Sequence, residues 1–364
     1  MGFKCGIIGL PNVGKSTIFN ALTCAHAEVA NYPFCTIDPN VGIVAIPDQR
    51  LEKIAHIINP PKVTYTSMEF LDIAGLVKGA SRGEGLGNKF LGHIREVDAI
   101  VHIVRCFDNP SVIHVNGHVD PARDIEIVNA ELILSDLETV EKRIIRMERL
   151  AKSGDKLARK EIELCLRVQD MLGKGFPVRH VLVKEEEQDI LRDLHLLTSK
   201  KVLYVANVSE SVLKEYGDYI KTVELSAEKE GSKMIMICGD LEAEITELPK
   251  EEQKEFLHDL GLSESGLQKL ISAGHDILDL ITFYTTVGSE LRAWTIPRGT
   301  LAPAAAGKIH SDMEKGFIKA EVIHFGEFIK IGSMVKAKEQ GRIRLEGKDY
   351  ALSDGDIAFF RFNV

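Results

Sequence analysis

Gly9-Leu10-Pro11-Asn12-Val13-Gly14-Lys15-Ser16 is the stretch that decides the fold. It fits G-x-x-x-x-G-K-[ST] at every fixed position. The octapeptide follows an apolar run, Phe3–Ile8, and leads into an amphipathic stretch, Thr17–Leu22, so it reads as the turn between a buried strand and a helix. The glycines let the main chain wrap closely enough for successive N–H groups to face phosphate oxygens. Lys15 is then expected to reach the β- and γ-phosphates of a nucleoside triphosphate, and the Ser16 hydroxyl to ligate Mg²⁺. Asn12, Val13, Gly14, Lys15, Ser16 and Thr17 form the expected phosphate-binding set.

Working outward, Phe70-Leu71-Asp72-Ile73-Ala74-Gly75 is an apolar strand ending in Asp-x-x-Gly. Alone that pattern is common; downstream of a phosphate loop it places Asp72 beside Mg²⁺, through water, and offers the Gly75 N–H to the γ-phosphate. Thr36, in Tyr32-Pro33-Phe34-Cys35-Thr36-Ile37-Asp38-Pro39, is the expected second hydroxyl ligand of the metal. Its loop is expected to order around the γ-phosphate and loosen after hydrolysis.

Asn207-Val208-Ser209-Glu210 follows the strand-like run Val202–Ala206, where GTPases carry Asn-Lys-x-Asp. In those enzymes the aspartate accepts hydrogen bonds from the N1–H and exocyclic amine of guanine. Here the fourth residue is one methylene longer and the lysine is a valine. A displaced carboxylate weakens the guanine clamp, and sites that hydrogen-bond their substrate discriminate through such pairing. Adenine is therefore the expected base, with Asn207 and the backbone around Val208 lining its pocket. A glutamate that still reached guanine would instead make the protein a GTPase.

The chain changes grammar twice. Residues 1–120 alternate apolar strands with Gly-rich loops, and the continuous run Ala99–Val104 suits a strand buried on both faces of a parallel sheet. Residues 121–199 carry Leu137, Val140, Ile144, Met147 and Ala151 at helical spacing, break at Ser153-Gly154-Asp155, and resume through Leu164, Val168 and Met171. That predicts a helical hairpin inserted into an α/β domain that resumes over 200–280. Residues 281–364 read as a separate β-rich domain, with strands at Phe283–Val287, Leu291–Ile296 and Gly316–Phe325 and a closing hairpin turning at Asp354-Gly355.

Composition bounds the partners. The 364 residues are 45% hydrophobic and 27% charged, ordinary for a globular chain with a real core. A formal net charge of -9 excludes a generally basic nucleic-acid binder, and no DNA partner is expected. No apolar run approaches the roughly 18–20 residues of a membrane span, and Gly6 stands where a myristoylation motif wants Ser or Thr. With no charged leader and six scattered cysteines, none in a C-x-x-C pair, a cytoplasmic protein with buried free thiols is expected.

With these motifs assembled, the chain closely resembles the Obg-like ATPases, the YchF subfamily of the translation-factor-class GTPases. The likeness runs almost end to end, through Gly9–Ser16, Asn31–Pro39, Asp72–Ala80, Gly83–Asn88 and Asn207–Glu210. Val287–Thr295, Ala305–His310 and Phe317–Val322 look like that family's TGS domain, a ubiquitin-like β-grasp. The resemblance implies a P-loop G domain interrupted by a helical hairpin, ATP preferred over GTP, Mg²⁺ as cofactor and association with ribosomes.

Catalysis is less clearly written. Ras-type enzymes place a glutamine after D-x-x-G to orient the attacking water, whereas this chain has Leu76. His114, in the Asn- and Gly-containing loop Pro110–Gly117, is the candidate replacement, carried by a mobile loop. His93 and Lys78 are weaker rivals. Asn12 is a candidate to help hold K⁺ near the phosphates. Around the hairpin break, Lys142, Arg143, Arg146, Arg149, Lys152, Lys156, Arg159 and Lys160 form a local basic excess suited to ribosomal RNA. The leading expectation is a slow, switch-like ATPase; the rival from another class is a nucleotide-gated binding module with negligible turnover.

Overall fold

A computed structural model describes residues 2–24, 40–73, 86–211 and 217–363. Its strands are β1 (Phe3–Ile8), β2 (Val41–Ala45), β3 (Lys62–Thr64), β4 (Ser67–Asp72), β5 (Ala99–Arg105), β6 (Lys201–Asn207), β7 (Lys233–Ile237), β8 (Leu280–Val287), β9 (Glu290–Pro297), β10 (Phe317–His324), β11 (Arg344–Glu346) and β12 (Asp356–Phe362). The first five helices are α1 (Lys15–Cys24), α2 (Gln49–Ile58), α3 (Leu86–Glu96), α4 (Pro121–Ala151) and α5 (Lys156–Gly173). The chain divides into two compact units, one of Phe3–Val44 with Glu69–Ile277, the other built from Ala45–Met68 and the chain from Leu278 onward.

The first unit is an α/β layer structure around a sheet of order β2-β4-β1-β5-β6-β7. Strands β1, β5, β6 and β7 run parallel, with Cys5 opposite Ala99, Ala99 opposite Lys201, and Leu203 opposite Lys233. Every residue of β5 is buried, as a strand covered on both faces requires. The described residues that follow the parallel strands β1, β5, β6 and β7 leave the carboxyl edge of this sheet, the edge where open α/β sheets bind ligands.

Helices α4 and α5 form the hairpin. Asp120 caps α4, its side chain accepting from Arg123 N, with Pro121 in the first turn; Asp155 caps α5 by accepting from Leu157 N and Ala158 N. Between them Gly154 takes φ 92°, open to glycine but strained for other residues. Val140, Ile144, Leu164, Cys165, Val168 and Leu172 fill the seam. At the hairpin base buried Asp136 accepts from Leu197 N at 2.8 Å, Thr198 N at 2.8 Å and the Thr198 hydroxyl at 2.6 Å.

The second unit holds a sheet of order β11-β10-β12-β8-β9-β3. Strands β8 and β9 form an antiparallel hairpin, while β12 runs parallel to β8 and antiparallel to β10. That is the β-grasp arrangement the resemblance implies. Helix Ala302–Ile309 covers one face, around Ile281, Phe283, Ile296 and Phe360. Leu51 and Ile54 of α2 pack on the other, against Tyr284, Leu291, Ile323 and Phe328.

Two expectations are corrected. Residues 45–68 were assigned to the nucleotide-binding domain but belong to the second unit: β3 pairs in parallel with β9, and the apolar stripe of α2 is buried there. Asp354-Gly355 does turn, with Gly355 at φ 90°, yet it closes no hairpin. It leads into β12, whose neighbours β10 and β8 come from far earlier in the chain. Among the described residues no helix is long and apolar enough to cross a membrane.

Candidate nucleotide-binding site

A cavity of about 570 Å³ opens at the carboxyl edge of the first sheet. Leu10, Pro11, Asn12, Gly14, Lys15, Ser16 and Thr17 line one end, so most of the expected phosphate set is brought together. Gly14 has φ 88°, and a Cβ there would stand 2.1 Å from Asn207 Nδ2. Only glycine meets both demands. Asn12 also adopts a left-handed conformation, φ 62°, which asparagine tolerates better than most residues. The Lys15 ammonium pairs with the Asp72 carboxylate, both partly buried. The lysine that opens α1 and the acid that ends β4 thus meet. Thr36, Gly75, Leu76 and Lys78 lie outside the described residues.

Val13 is buried and contributes its carbonyl, which accepts from Asn207 Nδ2 at 2.8 Å. Asn207 Oδ1 in turn accepts from Gly239 N at 3.0 Å. One buried amide therefore fastens the phosphate loop to the turn after β7. Asn207 lines the cavity, but both ends of its amide are engaged within the protein. Val208 is buried with its N–H given to Ile237 O, Ser209 Oγ lies 3.1 Å from Ser211 Oγ, and Glu210 is exposed. These three do not line the cavity, whereas Phe107, Asn109, Val112 and Asp240 do.

Arg105 was not anticipated. It ends β5, whose other residues are apolar except His102, is 2% exposed, and its guanidinium collects a whole loop. Nε donates to Phe107 O at 3.1 Å, Nη1 to Val112 O at 3.0 Å and Asn12 O at 3.4 Å, and Nη2 to Asn109 O at 3.4 Å. Asn12 Nδ2 adds a bond to Ile113 O at 3.0 Å. The phosphate loop and the segment leading to His114 are thereby tied together. A lone arginine at the end of an apolar strand was the available signal.

His114 was expected to be carried by a mobile loop; the structure buries it. The residue is 5% exposed, with Nε2 2.8 Å from Asp124 Oδ2 and Nδ1 accepting from Asn116 N at 3.2 Å. Nδ1 as acceptor makes Nε2 the donor to Asp124. The ring does not line the main cavity but a neighbouring one of about 350 Å³. The physical reason is Asp124, in the first turn of α4, which gives the imidazole a buried polar partner. His93 is exposed on α3.

At the hairpin tip seven of the eight basic residues are exposed, Arg143 being half-buried beside Glu161. Lys142 pairs with Glu138 and Lys160 with Glu186, while Arg146, Arg149, Lys152, Lys156 and Arg159 make no ion pair among the described residues.

Comparison with known proteins agrees with this geometry. Residues 4–148 match a family model described as 50S ribosome-binding GTPase, and residues 280–363 match the YchF-GTPase_C model, described as a protein of unknown function. The chain is 52% identical over 366 residues to the ribosome-binding ATPase YchF of Bacillus subtilis, and 52% identical over 364 residues to that of Escherichia coli O157:H7, covering 100% of each chain. The solved structure of the Schizosaccharomyces pombe YchF GTPase superposes with a TM-score of 0.89 at 37% identity, covering 99% of this chain and 98% of that one. Full-length likeness at this level places the P-loop cavity, the inserted hairpin and the β-grasp unit in one lineage: the chain belongs to the YchF family.

Proposed function

We propose that this chain is a cytoplasmic ATPase that binds ATP in preference to GTP, requires Mg²⁺, and reports its nucleotide state to the ribosome. The observation that carries the reading is the cavity lined by Lys15, Ser16 and Thr17 together with Asn207, whose amide holds the phosphate loop at Val13 O. Its likeness to proteins named ribosome-binding ATPases supplies the partner.

On this reading a bound triphosphate takes Lys15 away from Asp72, and the ammonium moves to the β- and γ-phosphate oxygens. The freed carboxylate and the Ser16 hydroxyl are hard oxygen donors that suit Mg²⁺. Thr36 would add a second hydroxyl and Gly75 an N–H to the γ-phosphate. Among the described residues no cluster of three or more His, Cys, Asp or Glu forms a ready metal cage. That fits an ion held by few protein groups together with phosphate and water. Bound there, Mg²⁺ would neutralise charge building on the phosphoryl oxygens. The oxygen end of the Asn12 amide is the group a K⁺ ion would use.

His114 is our candidate for positioning the attacking water. To reach it the imidazole must leave Asp124 and carry its loop away from Arg105 and Asn12. A group held in this way makes a slow enzyme until something releases it, which supports the switch reading. The runner-up, a binding module with negligible turnover, rests on the same burial. The exposed cations of the hairpin tip support contact with ribosomal RNA, a salt-sensitive interaction.

The test is nucleotide binding by calorimetry, ATP against GTP with Mg²⁺, followed by multiple-turnover phosphate release with and without ribosomes. At least tenfold tighter ATP binding with repeated turnover is expected. Equal or tighter GTP binding would reclassify the protein as a GTPase, and release of less than one equivalent of phosphate would favour the binding module. Reversing Arg149 and Arg159 together should weaken ribosome co-sedimentation; unchanged pelleting would remove the tip as the docking site.

A further inference from the structure

Asp240 is the one carboxylate among the residues that line the cavity. It follows Gly239, whose N–H is held by Asn207 Oδ1 at 3.0 Å, and so is fixed to the amide that also grips the phosphate loop. Its side chain is exposed, lines the cavity and makes no hydrogen bond or ion pair among the described residues. Asn207, by contrast, already gives one Nδ2 hydrogen to Val13 O and accepts from Gly239 N at Oδ1, which leaves it one amide hydrogen and one lone pair. Val208 gives its N–H to Ile237 O.

With the phosphates on Gly14–Thr17, a purine filling the rest of the cavity has Phe107, Asn207 and Asp240 among the residues that line it. Adenine and guanine differ there in the group on C6. Adenine carries an amine, which donates; guanine carries a carbonyl oxygen, which only accepts. A carboxylate is an acceptor without a proton to give, so it bonds the amine and repels the carbonyl.

The geometry points to Asp240 as a specificity residue: its carboxylate accepts a hydrogen bond from the exocyclic amine of adenine and turns away the O6 of guanine. This rests on the adenine reading above and names a residue for it. Burial raises the Cys238 thiol above its ordinary range, and the charges of Asp240 and Glu210 push it the same way. Both acids therefore act on the turn after β7, but only Asp240 lines the cavity. The competing account is that Asp240 merely favours the first turn of helix Gly239–Glu247. That account predicts a change in stability and no change in base preference.

The experiment measures Kd for ATP, GTP and purine riboside triphosphate, which has hydrogen at C6, with Mg²⁺, on wild type, Asp240→Asn and Asp240→Ala. Wild type should bind ATP about tenfold or more tightly than the C6-hydrogen analogue, the range of a charge-assisted hydrogen bond. Asp240→Ala should close that gap to within about twofold. Asp240→Asn, whose amide donates as well as accepts, should strengthen GTP relative to ATP by about tenfold. The analogue lacks any C6 group, so its binding reports whether each variant keeps a folded site. A wild type that prefers ATP, with variants that keep the same ATP-to-analogue and ATP-to-GTP ratios, overturns the assignment of Asp240 alone. A wild type that binds ATP and GTP equally overturns the adenine reading, and this inference with it.

Discussion

The two ends of the cavity are built by opposite strategies. On the proposed reading the phosphate end is the single stretch Leu10–Thr17, with Asp72 paired to its lysine, and its chemistry would lie in main-chain N–H groups, one ammonium and one hydroxyl. The base end proposed above draws on Phe107 after β5, Asn207 at the end of β6 and Asp240 after β7, which line the cavity from three separate segments. Phosphate is the same in every nucleotide, so a local and rigid turn suffices to bind it. A base must be told from its rivals, and that takes donors and acceptors placed by distant segments.

The comparison predicts where substitutions separate affinity from preference. Lys15→Ala should have the largest effect, lowering kcat/KM for ATP and for GTP by about a hundredfold or more, since it removes the charge aimed at the transferred phosphate. Steady-state hydrolysis with both nucleotides checks it; a drop for one nucleotide alone would break the division between the ends.

Gly14→Ala comes next. A Cβ at φ 88°, 2.1 Å from the Asn207 amide, forces backbone strain of about 1–3 kcal/mol and displaces the joint between the two ends. Urea unfolding and ATP titration should both shift, and an unshifted midpoint would show that the loop relaxes at no cost. Asn207→Ala should cost about 1–3 kcal/mol of stability by leaving Val13 O and Gly239 N unpaired. It should weaken ATP and GTP together, because Asn207 is a joint rather than a reader; a selective loss of ATP would return the reading role to it. Glu210→Gln is expected to be smallest. With Glu210 exposed and away from the cavity lining, the ratio of ATP to GTP affinity should stay within about twofold. A larger change would show that the segment closes over the base when nucleotide is bound.

How much of this was legible depended on how local each signal was. The phosphate loop, strands β1, β5 and β6 and both hairpin helices were readable because each is set by contiguous residues: a motif, an apolar run, a stripe at helical spacing. The affiliation of 45–68 was not, because the amphipathic face of α2 says that it will be buried but not against which sheet; its pairing is settled by β9, more than two hundred residues away. The same limit explains Asp354-Gly355. The dipeptide fixes a turn, while the partners of β12 are fixed by β8 and β10. At the site, His114 looked mobile because its loop is rich in turn residues. Asp124, outside that loop, supplies the partner that buries it.

By itself the sequence determined that a Gly-rich turn would form between a buried strand and a helix, and that a helical hairpin would interrupt the sheet. These follow from backbone sterics and hydrophobic periodicity, which act over a few residues. Only the tertiary structure decided that Arg105 ties the His114 loop to the loop after β1, that Asn207 is a joint, and that Asp240 is the acid lining the cavity. Those are hydrogen-bond assignments between segments far apart in sequence. A buried donor or acceptor takes whichever partner the packed sheet brings within about 3 Å, and that choice is made only once the core has formed.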